Sequence, residues 1–107
     1  DGFVRGWEGR LINIHPSLLP AYKGTRVHER VLAAGEKESG ASVHFVVPEL
    51  DAGPVIAQGR VAVQVDDTPE TLAARVLAVE HGLYPHALRL LATEKVRLQN
   101  GAAAFTA

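Results

Sequence analysis

The chain contains no cysteine, which excludes disulfides, thiolate nucleophiles and cysteine-based zinc or iron sites. It also lacks methionine and opens on Asp1, so it reads as a piece of a longer protein. Basic residues are in no excess: 11 Lys and Arg stand against 12 Asp and Glu, for a formal net charge of -1. So balanced a chain has no surplus of cations to neutralise a phosphate backbone or an anionic membrane surface. Neither nucleic acid nor a membrane is therefore expected as a partner. No apolar run approaches the roughly 20 residues that span a bilayer, and no charged-then-apolar leader opens the sequence. A cytoplasmic protein is the simplest expectation.

What is present is apolar: 47% of 107 residues, the size of one small domain or part of one. Arg10 to His15 is a short, nearly continuous apolar run ending in polar groups and Pro16, as a buried strand of parallel type would. Two prolines and Gly24 make 16–25 a loop. Val27 to Ala34 has helical spacing, with Gly35 placed to stop it. Ala41 to Val47 reads as a strand, and Val55 to Val65 as a strand or a bent pair of strands. Asp67-Thr68-Pro69-Glu70 spells a helix start: a cap, a proline at the first helical position and an acid in the first turn. Leu72, Val76, Val79, Leu83 and Leu90 form the apolar stripe of that helix. Gly82 and Pro85 should interrupt it, because Pro85 removes a donor and crowds the carbonyl of His81. Beyond Thr93 the pattern fades, with Val96 and Leu98 compatible with a short last strand. The order predicts an α/β fold with a mixed, mainly parallel sheet flanked by helices.

Asn13 and His15 lie two apart in an extended segment, so both side chains project to one face at the carboxyl end of a strand, where open α/β sheets place ligands. Asp51 falls in the turn-rich stretch before Gly53-Pro54. Together the three suit acyl transfer to an amine. The Asn13 amide and a protonated His15 can donate to the developing oxyanion. His15 can protonate the leaving nitrogen, and Asp51 can stabilise the imidazolium or hold a water. Each also has a plainer reading: Asn13 and His15 as strand-end polars satisfied by the following loop, Asp51 as an Asx-turn residue. Ser17 lacks a nucleophile-elbow pattern and reads as a loop hydrogen-bonder. His81 and His86, five apart, do not align as a helical ligand pair, and no metal site is expected.

Four segments carry a resemblance: Asn13-Ile14-His15-Pro16-Ser17-Leu18-Leu19-Pro20, Ser42 to Val46, Glu49-Leu50-Asp51-Ala52-Gly53-Pro54 and Glu80-His81-Gly82-Leu83-Tyr84-Pro85. In order and spacing they resemble the phosphoribosylglycinamide formyltransferases of the formyl-folate superfamily, from about Gly2 to Ala92. The resemblance implies a Rossmann-like formyltransferase domain, of which residues 1–107 would be the carboxyl-terminal half. It implies small-molecule substrates, phosphoribosylglycinamide (GAR) and 10-formyltetrahydrofolate as cosubstrate, with no metal, in a monomer or homodimer. It assigns Asn13 to the formyl-folate and the oxyanion, His15 to proton donation, and Asp51 to raising the histidine's pKa. Val47, Pro48, Glu49, Leu50 and Asp51 would fold around the pterin-like ring. Leu77, Ala78, Val79 and Glu80 would contact GAR, with Glu80 the polar contact.

The family's Gly-Ser-Asn phosphate loop has no counterpart in these residues, so this half by itself is expected to be inactive. Other acceptors stay open: water, as in formyltetrahydrofolate hydrolases, a sugar amine or methionyl-tRNA. A non-catalytic folate-binding fragment is the reading from another class.

Overall fold

Ala41, Val43 and Phe45 alternate with Gly40, Ser42 and His44, and all six are buried. A strand covered on both faces has to be central. In the computed structural model, which describes residues 11–48 and 52–106, this strand is β2 (Glu38–Phe45), the middle of a three-stranded sheet. Its neighbours are β1 (Ile12–His15) on one edge and β3 (Val55–Ala62) on the other. A short helix, α1 (Val27–Ala33), links β1 to β2. A long helix, α2 (Pro69–Ala92), follows β3. A separate hairpin of β4 (Val96–Gln99) and β5 (Ala102–Phe105) closes the order.

The α/β class is as expected, but the pairing is not. Both ladders of the three-stranded sheet are antiparallel among the described residues. An apolar run shows that a strand is buried and leaves its neighbour's direction open, so the parallel reading of β1 had no independent support. The strand expected over 41–47 begins earlier, at Glu38, and Val55 to Ala62 is one strand that stops short of Val65.

The odd-numbered residues of β2 face α2, and two apolar clusters fill the space between them. Val27, Val31, Ala41, Val61, Leu72 and Val76 form the first; Val43, Phe45, Ile56, Ala87 and Val96 form the second. At ~1.5 Å per residue α2 is long enough to cover both. The interruption expected at Gly82 and Pro85 does not divide it. Leu83 packs on both clusters and Tyr84 on the second, so tertiary burial carries the helix through its own breakers. Gly59 permits the close approach: a Cβ there would run into Val79.

The helix start reads as expected. Thr68 caps α2, accepting from the Thr71 N–H at 3.2 Å, while the Thr71 hydroxyl accepts from the Thr68 N–H at 2.9 Å. Asp67, just before it, takes a bidentate pair from Arg75, both contacts 2.8 Å. The second strand of the final hairpin was not anticipated, although Asn100-Gly101 signals it. Both residues have positive φ, 53° and 76°, as the two-residue type I′ turn requires. Among the described residues no helix is long and apolar enough to cross a membrane.

Candidate active site

β1 presents Ile12 and Ile14 to the apolar clusters, so Asn13 and His15 are left on the opposite face. Their register partners on β2 are His44 and Ser42, and antiparallel partners share a face. Four polar side chains therefore lie together on the surface that α2 does not cover. Asn13 is exposed, and its Oδ1 accepts from the Ile14 N–H at 2.9 Å. His15 is buried, with Nε2 at 2.8 Å from the Tyr22 carbonyl oxygen. His44 is buried too, and its Nδ1 lies 2.9 Å from the Phe45 carbonyl oxygen.

The loop after His15 folds back over this face. The Ser17 hydroxyl donates to the Ala21 carbonyl at 2.6 Å, the loop-bonding role expected of it. Ser42, fully buried, ties the loop to the sheet. Its hydroxyl donates to the Ser17 carbonyl at 2.7 Å and accepts from the Leu19 N–H at 3.0 Å and from Gln58 Nε2 at 2.9 Å. Gln58 also donates to the Leu19 carbonyl at 2.9 Å. Ser42, Gln58 and Tyr22 were not singled out from the sequence. Ser42 sits in an apolar strand and Gln58 in an alternating one, and only the strand register brings them beneath the loop.

Glu80 lies half-buried on α2. Burial raises its carboxyl pKa, and positive charge on His81 and His15 opposes that rise. Leu77 and Ala78 are exposed, whereas Val79 is turned into the first cluster over Gly59. Val79 was expected with Leu77, Ala78 and Glu80 to meet a ligand, and its side chain is the one of the four that packs on that cluster. Four consecutive helical residues sweep most of a turn, and one of them has to face the sheet.

Val47 and Pro48 are half-buried just beyond β2. Glu49, Leu50 and Asp51 lie outside the described residues. On the far side of that stretch Gly53 packs against the Phe45 carbonyl so closely that any Cβ would collide with it, and the Phe45 N–H donates to the Pro54 carbonyl at 3.0 Å. A wide groove of 520 Å³ between the amino-terminal ends of α1 and α2 borders the loop at Pro16, but no candidate residue lines it. Among the described residues no three His, Asp or Glu side chains gather as a metal site.

Residues 1–88 match the family described as Formyl transferase. The chain belongs to the formyl transferase family. It is 52% identical over 100 residues to the trifunctional purine biosynthetic protein adenosine-3 of Bos taurus, spanning 92% of this chain and 10% of that protein. The phosphoribosylglycinamide formyltransferase of Anaplasma phagocytophilum superposes with a TM-score of 0.92 at 46% identity, over 99% of this chain and 52% of that one. A formyltetrahydrofolate deformylase from Pseudomonas syringae pv. tomato also reaches 0.92, at 30% identity, over 99% of this chain and 36% of that one. The α/β formyl transferase fold implied by the sequence resemblance is thereby borne out. This formyl transferase chain spans about half the length of the first solved relative and a tenth of the bovine protein.

Proposed function

We propose that this chain carries the proton-transfer apparatus of an enzyme that moves the formyl group of 10-formyltetrahydrofolate to the amine of 5'-phosphoribosylglycinamide, in de novo purine synthesis. The observation that carries the reading is the juxtaposition at one strand end of an exposed amide, Asn13, and a buried imidazole, His15. Asn13 can donate its amide to the formyl oxygen as charge builds there. His15 can give a proton to the departing folate nitrogen. Asp51 is assigned to stabilising the imidazolium and ordering a water. Val47, Pro48, Glu49, Leu50 and Asp51 are assigned to the folate's ring, and exposed Leu77 and Ala78 with half-buried Glu80 to GAR.

The test is turnover of GAR by the full-length protein. His15→Ala should lower kcat by about 10²- to 10⁴-fold and Asn13→Ala by about 10²- to 10³-fold. Near-normal turnover of His15→Ala would sink the reading. The equal superposition on a deformylase favours one second reading, with water as the acceptor. Release of formate at the same rate with and without GAR would establish it.

A further inference from the structure

His15 Nε2 lies 2.8 Å from the backbone oxygen of Tyr22, in a residue only 6% exposed. A carbonyl oxygen carries no hydrogen, so this bond exists only with the proton on Nε2. A neutral imidazole has a single N–H, which leaves its lone pair on Nδ1, and the imidazolium places its second proton there. We propose that Tyr22 is a positioning residue for His15: its carbonyl holds the Nε2–H tautomer, and the proton of formyl transfer travels through Nδ1.

The Tyr22 carbonyl is aimed by an unusual backbone. Tyr22 has φ 55°, the left-handed region that side chains other than glycine rarely occupy. Such a conformation persists when the surroundings hold it, and here they do so at several points. The Tyr22 hydroxyl donates to Glu36 Oε2 at 2.9 Å, just past the end of α1. Its ring packs on the first cluster, and the Arg30 guanidinium sits 5.6 Å from the ring centroid. Arg30 also donates to the Lys23 carbonyl at 2.6 Å and the Thr25 carbonyl at 3.1 Å. At the near end of the loop Ser42 and Gln58 clasp Leu19. The segment between His15 and Tyr22 is thus pinned at both ends, and the imidazole is held by its own downstream chain.

The chemical role rests on the function proposed above; the tautomer does not. As the acceptor amine bonds to the formyl carbon, the bond from that carbon to the folate nitrogen breaks. The leaving nitrogen takes the proton from Nδ1 of the imidazolium, and the proton shed by the amine restores it. Nε2 keeps its hydrogen throughout.

Nitrogen-15 spectra of the histidine-labelled full-length protein decide the tautomer, with His15 assigned by the signal missing from His15→Asn. The expected neutral ring is protonated at Nε2; a ring protonated at Nδ1 overturns the proposal. Kinetics give the second arm. Tyr22→Phe, which loses the Glu36 bond, should lower kcat about three- to tenfold with KM for both substrates unchanged, and should admit some Nδ1–H tautomer. Glu36→Gln keeps an acceptor oxygen and should retain most of kcat. Wild-type kcat in Tyr22→Phe, or a change in KM instead, overturns the assignment. If the full-length protein does not formylate GAR, the function reading falls alone, and the spectra still decide this one.

Discussion

Ser42 has no exposed surface, and its hydroxyl meets three partners on two other segments. Replacing it with alanine would leave the buried Leu19 N–H without its acceptor. An orphaned buried donor costs about 1–3 kcal/mol, so Ser42→Ala should lower the urea midpoint of the full-length protein by a corresponding amount at unchanged m-value. Turnover should fall as well, because the loop that Ser42 anchors leads to the Tyr22 carbonyl that holds His15. Nothing in the local sequence announces this. The pattern Ala41 to Val47 identifies a strand, but the partners of Ser42 lie 25 and 16 residues away. Asn13 and His15 were legible for the opposite reason. Their relation is a two-residue spacing in an extended segment, and backbone geometry alone decides it.

At the scale of elements, α2 is the clearest case of local rules and tertiary packing acting on one segment. Its start follows from Thr68, Pro69 and Glu70. Its length follows from the apolar stripe from Leu72 to Leu90, and burial against two clusters holds the helix continuous where Gly82 and Pro85 were expected to interrupt it. The start is further tied down by Asp67, whose carboxylate receives Arg75, the Gln64 N–H and the Thr71 hydroxyl. The Arg75 hydrogen bonds, first among these, hold the Asp67 pKa far below the usual carboxylate range. The folded chain therefore releases this proton more readily than the unfolded one. The stabilisation is complete above the ordinary carboxylate pKa of about 4 and is lost as pH falls below it toward the depressed value. Asp67→Asn should lower Tm at neutral pH, and the gap from wild type should close on acidification through that range. A gap that stays constant down to the acid limit would show that the ion pair adds nothing.

For the whole molecule the informative feature is an edge. Among the described residues β1 pairs with β2 on one side only, and its apolar face belongs to clusters that α2 covers in part. A short apolar strand with an open edge is a template for association. The isolated 107-residue polypeptide should therefore self-associate in sedimentation and unfold without a single sharp transition. A monomer with one cooperative urea transition would instead mark it as an independent module.

The sequence by itself determined what depends on neighbours along the chain: most strands and both helices, the Thr68 cap, the pairing of Asn13 with His15 at a strand end, and the family. Only the tertiary structure decided what depends on register and packing. Antiparallel pairing set Asn13 opposite His44 and His15 opposite Ser42. Burial held α2 continuous through Pro85 and turned Val79 toward the first cluster. A carbonyl seven residues downstream took hold of the imidazole. Hydrophobic periodicity reports which face of an element is buried; it carries no information about which distant groups that face will meet, because contacts between elements are chosen by the fold as a whole.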